Sequence, residues 1–209
     1  MKNKNILVIG LGYVGCSISV LLAQNNKVAA VDIDENKVIK INNLESPIED
    51  KKVSSFLKNE ILNLKAYNSL QEAFSLIDDI DYFIIAVPTN FIESDNSFDT
   101  TSIRDVLHQI SKLDRNANVV IKSTIPIGFT SEMNSLFCDL NIIYSPEFLR
   151  EGMALQDNLY PDRIIAGGDY QASCDFVDLL ITSAKKEDVK KLIVKSEEAE
   201  AIKLFSNTH

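Results

Sequence analysis

The run from Tyr144 to Ala154, Tyr-Ser-Pro-Glu-Phe-Leu-Arg-Glu-Gly-Met-Ala, crowds charge where a β-strand should be ending. Ile142, Ile143 and Tyr144 read as a short buried strand. Pro146 holds Ser145 extended and stops the strand, and Glu147, Arg150 and Glu151 follow within about one helical turn. Two carboxylates and a guanidinium therefore meet at a strand end. In an open α/β sheet, ligands bind outside the carboxyl ends of the strands, so fixed charge at that position can serve a reaction. A solvated turn carrying an Arg-Glu pair would look the same locally. Near the end of the chain, Lys203 and Asn207 stand four apart on a helical stretch and so share a face, where an ammonium and an amide can both donate to an oxyanion. Alone, such a pair more commonly faces solvent.

A second chemical signal lies at the start. Gly10-x-Gly12-x-x-Gly15 is weak by itself, but it follows the apolar strand Ile6 to Ile9 and opens a helix over Val14 to Gln24. Asp32 then ends the next strand at the distance a dinucleotide fold requires. The first glycine permits the tight turn, the second lets the backbone approach a pyrophosphate, and the third allows close helix-strand packing. The amides of Tyr13 and Val14 would face the phosphates at the helix N-terminus. The Asp32 carboxylate would accept hydrogen bonds from ribose hydroxyls and repel a 2′-phosphate, so NAD is expected over NADP. An acidic residue that merely caps the following helix is the other reading of Asp32.

Both signals need a sheet to hold them. Strands are expected at Ile6–Ile9, Val28–Val31, Leu64–Tyr67, Tyr82–Ala86, Val119–Ile121, Ile142–Tyr144, Arg163–Ala166 and Leu192–Val194, each followed by an amphipathic helical stretch. That alternation implies parallel strands with right-handed crossovers. The expected fold is α/β: a doubly wound, mostly parallel, Rossmann-like sheet with helices on both faces. Continuous apolar runs such as Tyr82 to Val87 suit strands buried on both sides. Asn42 to Asp50, broken by Pro47, and Asn90 to Thr100, rich in Asn, Asp and Ser, read as loops; each lies where strand-to-helix loops cover a ligand, and a plain surface loop is an equal reading for the second. Ser196 reads as the N-cap of a last helix, with Glu197 and Glu198 in its first turn. That helix reaches His209 without a glycine cap and reads as interrupted. The expected organisation is a nucleotide-binding domain over residues 1–195 and the start of a connecting helix over 196–209, with the 209 residues forming the N-terminal portion of a longer protein.

Composition narrows the partners. A formal net charge of −9 argues against nucleic acid, which needs clustered Lys and Arg. No apolar run approaches the ~20 residues that cross a bilayer, and Met1-Lys-Asn-Lys-Asn leads straight into a strand with no room for a cleavable leader. A cytoplasmic protein is expected, with no membrane partner. Cys16, Cys138 and Cys174 have neither paired spacing nor accompanying histidines, so neither a disulfide framework nor a metal site is indicated. Cys16 is expected to be a small buried thiol, and His108 a surface residue rather than a base.

Taken together, Gly10 to Gly15, Ser123-Thr-Ile-Pro-Ile-Gly128, Ser145 to Gly152 and Ala199 to Asn207 resemble the UDP-glucose/GDP-mannose dehydrogenase family of nucleotide-sugar dehydrogenases along essentially the whole chain. The resemblance implies an enzyme that oxidises the primary alcohol of a nucleotide sugar to an acid, with two NAD and one water, through a cysteine thioester. The Glu-Phe-Leu-Arg-Glu-Gly wording favours UDP-glucose or GDP-mannose over UDP-N-acetylmannosamine, with UDP-glucose the leading substrate. A noncatalytic NAD-binding module is the alternative of a different class.

What the resemblance implies for single residues is specific. Thr124 corresponds to a threonine that holds the catalytic water near the nicotinamide, Glu147 to a proposed general base, and Glu151 to a second carboxylate near nicotinamide and substrate. Lys203 and Asn207 correspond to the oxyanion donors, and Phe148, Leu149 and Arg150 to a substrate-binding segment. Lys37 corresponds to a second ribose contact and Thr89 to a hydroxyl beside the ribose and pyrophosphate, although a solvated lysine and a strand-end turn would look alike. On helical spacing alone, Glu200, on the same side one turn before Lys203, could hold that lysine charged. The family's nucleophile lies in a Gly-Gly-x-Cys motif that the 209 residues do not contain, so they are expected to bind NAD without turning over. A UDP-sugar-binding domain absent from these residues and a homodimer built on the last helix are also implied.

Overall fold

The computed structural model describes residues 3–94 and 97–206. Its core is an eight-stranded sheet in the order β10-β9-β8-β7-β4-β1-β2-β3. The strands are β1 (Asn5–Ile9), β2 (Lys27–Val31), β3 (Leu64–Tyr67), β4 (Tyr82–Ile85), β7 (Asn118–Ile121), β8 (Asn141–Tyr144), β9 (Arg163–Gly167) and β10 (Lys190–Val194). All eight expected strands are present, with ends moved by a residue or two. Asn90 to Thr100, expected as a loop, carries a small antiparallel hairpin of β5 (Phe91–Ile92) and β6 (Ser97–Phe98), held by an edge-on Phe91–Phe98 ring contact.

Period-two alternation sorts the strand residues onto two faces, each buried. Ile6 and Val8, Val28 and Ala30, and Tyr82 and Ile84 pack on one side with α1 (Tyr13–Leu22), α3 (Lys51–Asn59) and α8 (Tyr170–Ser183). Leu7 and Ile9, Ala29 and Val31, and Phe83 and Ile85 pack on the other with α4 (Leu70–Ser75), α5 (Thr101–Leu113) and α6 (Phe129–Leu136). Fully burying one such side chain contributes roughly 1.5–3 kcal/mol, so the alternation fixes the register of the central strands. The caps are local: Asp34 accepts from the Asn36 N–H to start α2 (Glu35–Asn42), and the buried Asp50 accepts from the Lys52 and Val53 N–H groups to start α3.

The sheet departs from uniformly parallel pairing at one place. β8 meets β9 antiparallel, at the single pair Tyr144 with Gly167. The reason lies in α7 (Ala154–Leu159), which docks on α1 through an Asn158 to Ser17 hydrogen bond of 3.0 Å instead of returning the chain to the sheet's amino end. The chain therefore enters β9 from the carboxyl end. Pro146 has no N–H to give, which keeps the β8–β9 ladder short. The inversion places Arg163, the first residue of β9, beside the Glu147 segment, with its guanidinium 4.8 Å from the Phe148 ring centroid.

Candidate functional site

The Gly10 to Gly15 loop leaves β1 and enters α1 with backbone geometry that only glycine meets at two points. Gly10 has φ +101, and a side chain there would drive into the Ala86 carbonyl; a side chain on Gly15 would drive into the carbonyl of Gly10. Gly12 differs, because nothing lies within 4 Å of where its side chain would stand. It opens onto free space above the start of α1, whose N-cap has no side chain bonded to it. That combination suits an approaching pyrophosphate.

Asp32, at the carboxyl end of β2, is nearly buried, and its carboxylate accepts from the Leu11 N–H (2.6 Å), the Asp34 N–H (2.9 Å) and Lys37 Nζ (3.2 Å). The helix cap is Asp34, so Asp32 does not fill that simpler role. Ile33 follows it with 95% of its surface exposed, an apolar side chain held in water at the mouth of the loop. Sequence reasoning passed over Ile33, and a large aliphatic directly after the acidic residue was the available signal.

A cleft of about 230 Å³ gathers most of these groups. It is lined by Gly10, Gly12, Tyr13, Val14, Asp32 and Lys37 from the first two crossovers, by Thr89 from the loop after β4, by Thr124 from the loop after β7, and by Glu147. The Ser123 hydroxyl donates to the Val87 carbonyl at 2.6 Å and so ties the last two of those loops together. Gly15 packs behind the loop rather than lining the cleft.

Glu147 is held from two directions. Lys203 Nζ donates to its carboxylate at 2.6 Å and to its main-chain oxygen at 2.8 Å, and the Leu149 N–H donates to the second carboxylate oxygen at 2.9 Å. Lys203 comes from α9 (Ser196–Ser206), and only 5% of its side chain is exposed. The expectation that Glu200 holds this lysine is overturned. The Glu200 carboxylate is fully buried and accepts from the Gly128 N–H (2.6 Å), the Thr130 N–H (2.9 Å) and the Thr130 hydroxyl (2.6 Å). The first turn of α6 starts from Gly128, which has no side chain to cap it, and Glu200 satisfies those donors instead. The N-cap of α9 is likewise Lys195 rather than Ser196, because the Lys195 carbonyl accepts the Ala199 N–H and Glu198 reaches back to the Lys195 N–H.

Phe148, Leu149 and Arg150 line a second, larger cavity of about 410 Å³ on the far side of Glu147, with Asp157 and residues 160–164. Arg150 pairs with Asp157 at 2.6 Å rather than with a glutamate, and the Asp157 hydrogen bonds raise its already high pKa. Glu151 is exposed and lines neither cavity. Asn207 lies outside the described residues. Lys122 lines both cavities and was missed, although a lysine closing the apolar run Val119 to Ile121 was a legible signal.

Cys16 is buried in α1, and burial pushes its thiol up to about 12, so it is inert at neutral pH. Cys138 is exposed, Cys174 is half-buried, and none of the three lines the cleft. No group of three or more His, Cys, Asp or Glu among the described residues could hold a metal ion, and no helix among them is long and apolar enough to cross a membrane.

Comparison with known proteins agrees with this geometry. The chain is 44% identical over 206 residues to a UDP-glucose 6-dehydrogenase of Campylobacter jejuni, covering 98% of this chain and 52% of that protein. It is 45% identical over 210 residues to one of Streptococcus pneumoniae, with the same coverage of 98% and 52%. Thus the chain spans about half the length of these relatives. Among solved structures, a UDP-glucose dehydrogenase from Pyrobaculum islandicum superposes with a TM-score of 0.82 at 30% identity, over 98% of this chain and 49% of that one. A GDP-mannose dehydrogenase from Pseudomonas aeruginosa gives 0.83 at 25% identity, over 97% and 49%. The model of the UDP-glucose/GDP-mannose dehydrogenase family, NAD binding domain, matches residues 4–184, and with a glycine cradle open at Gly12 and a buried carboxylate at Asp32, the chain belongs to that family as its NAD-binding domain.

Proposed function

We propose that this chain is the cofactor half of an NAD-dependent dehydrogenase that oxidises the primary alcohol of a nucleotide sugar, UDP-glucose foremost, to the acid. The observation that carries this reading is that Glu147 lines the same cleft as Gly12 and Asp32 while being locked to Lys203. A module that only bound a dinucleotide would have no use for a buried lysine-carboxylate pair at the cleft's far end.

NAD bound in this cleft would supply the hydride acceptor for oxidation of the alcohol. Everything else falls to the protein. Gly12 and the first amides of α1 receive the pyrophosphate, Asp32 and Lys37 the adenosine ribose, and Ile33 supplies an apolar platform for the base. Thr124 orients water at the reacting end, and Glu147 takes that water's proton during hydrolysis. Lys203 donates to the oxygen that becomes negative as the carbonyl carbon turns tetrahedral, releasing one of its bonds to Glu147 to do so. The thiol that a thioester route needs does not line this cleft, so the 209 residues alone are expected to bind NAD and give no turnover.

Two experiments test the reading. Calorimetric titration of the chain should give NAD binding well above NADP binding. The full-length gene product, offered a panel of sugar nucleotides, should form two NADH per UDP-glucose consumed. A preference for NADP, or NADH formation with none of the panel, would remove it.

A further inference from the structure

Lys122 stands where nothing in the mechanism above needs a second lysine. It follows β7 directly and is only 5% exposed; its backbone N–H donates to the Ile85 carbonyl at 2.8 Å, while among the described residues its ammonium has one hydrogen bond, a long one of 3.3 Å to the Ser145 hydroxyl, which itself donates to the Ile165 carbonyl. The Phe176 ring lies 5.9 Å from the amine. A buried ammonium has three donors to satisfy and is costly when they are left unpaired. Lys122 and Glu147 are also the two side chains that line both the cofactor cleft and the larger cavity behind it. They form the partition between the two.

We propose that Lys122 relays the proton collected by Glu147 out of the cofactor cleft and into the larger cavity. This rests on the reading of Glu147 as the base in hydrolysis. Water gives a proton to the Glu147 carboxylate as its oxygen bonds to the acyl carbon of the thioester, and the carbon–sulfur bond then breaks with the thiolate as leaving group. Lys122 makes no direct bond to Glu147, so the carboxylic O–H breaks as a cleft water takes the proton and an N–H forms from that water on the neutral Lys122 amine, leaving carboxylate and ammonium. The ammonium passes that proton to water in the larger cavity and is neutral again, so one proton leaves per hydrolysis and no electrons move. Burial pulls the Lys122 ammonium down to about 8, with Glu147 pulling it back up and Lys203 pushing it further down. Both protonation states are therefore available near neutral pH. Arg150, Asp157, Asp162 and Arg163 are the charged groups that face the amine's outer side across the larger cavity. Because Lys122 acts through Glu147, it is a positioning residue in the sense that it sets the base's proton state.

The test has one arm that needs no turnover. In the 209-residue chain labelled at the lysine ε-carbons, the signal lost in Lys122→Arg should titrate near pH 8 and move to lower pH in Glu147→Gln. Titration above pH 10, or no response to Glu147→Gln, overturns the relay. In the full-length gene product, Lys122→Arg should lower kcat at least ~10-fold, the usual scale for a lost proton-transfer group, while KM for the sugar nucleotide and the NAD affinity stay within ~3-fold. The kcat limb that rises toward pH 8 should vanish with it. Lys122→Ala should regain rate with added ethylamine, which a purely structural lysine would not show. An unchanged kcat and pH profile in Lys122→Arg overturns the relay even if the titration holds. If the wild-type gene product oxidises no sugar nucleotide, the dehydrogenase reading falls, and the titration still decides whether Lys122 exchanges protons with Glu147.

Discussion

Lys203 reaches Glu147 from a helix that Glu200, one turn earlier, has fastened to α6. The two contacts divide the work on α9. Glu200 caps a neighbouring helix and fixes where α9 lies, and Lys203, three residues on, delivers its ammonium 2.6 Å from a carboxylate on the loop after β8. Lys203 lines neither cavity itself, so the Glu147 carboxylate at the cleft is held by a buried lysine that Glu200 in turn positions.

The first prediction follows from that pair. Removing one partner leaves the other charge mostly buried and without its ion pair, so Lys203→Met should cost about 3 kcal/mol in urea unfolding of the chain. Glu147→Gln should cost less, since the amide can still accept from the lysine. The double variant should be more stable than the sum of the singles predicts. Additive losses in that cycle would mean that the 2.6 Å contact carries no coupling.

Glycine positions offer a sharper separation of stability from binding. Gly12→Ala places a methyl where no atom stands within 4 Å, so unfolding should move by no more than about 1 kcal/mol while NAD affinity falls at least ~10-fold. Gly15→Ala drives a methyl into the Gly10 carbonyl and should destabilise the fold itself, by about 2 kcal/mol or more. Calorimetry with NAD on both variants, beside their unfolding curves, checks the contrast. Equal behaviour of the two would remove the assignment of Gly12 to the pyrophosphate.

Asp32 serves structure and ligand together. Asp32→Asn keeps an acceptor for the Leu11 N–H at 2.6 Å but loses the charge that repels a 2′-phosphate. The chain should remain folded, with NAD binding weakened and the preference for NAD over NADP reduced roughly tenfold, the size of a 1.4 kcal/mol difference. Competitive titration of the two dinucleotides reads this out, and an unaltered ratio would assign the discrimination to other residues.

How much of this was legible beforehand depends on the range of the interaction. The strands were readable because alternation in runs such as Ile6 to Ile9 is a local property of a doubly covered sheet. The glycine loop was readable because its spacing is itself the geometry. Glu200 was misread because the turn it satisfies, Gly128 to Thr130, lies some 70 positions away, and helical spacing suggested a neighbour on its own face. The reversal of β9 escaped for a related reason. Alternating elements predict crossovers, and nothing in Ala154 to Leu159 alone announces that its helix docks on α1. Lys122 was signalled by its place at the end of the apolar run Val119 to Ile121, but that it is buried between two cavities is decided by elements far along the chain.

The last prediction concerns pH and stability. The Lys122 ammonium falls from 10.5 to about 8 in the folded chain, chiefly through burial. Between those values the unfolded state holds a proton that the folded state has released, so the slope of unfolding free energy with pH is positive there. The lysine therefore weakens the fold at neutral pH and costs progressively less as pH rises above 8. A shift of this size corresponds to about 3 kcal/mol. Cys16 works the other way from 9.0 upward, because burial keeps its thiol protonated in the folded chain to about 12 and the unfolded state ionises first. The window from pH 7 to 9 isolates the lysine. Lys122→Met, close in shape and without charge, should be more stable than the wild type at pH 7, and its advantage should shrink as pH rises to 9. Paired urea titrations at those two values measure it. An advantage that is absent, or constant across the window, would mean that Lys122 keeps its proton in the folded protein and cannot pass one on.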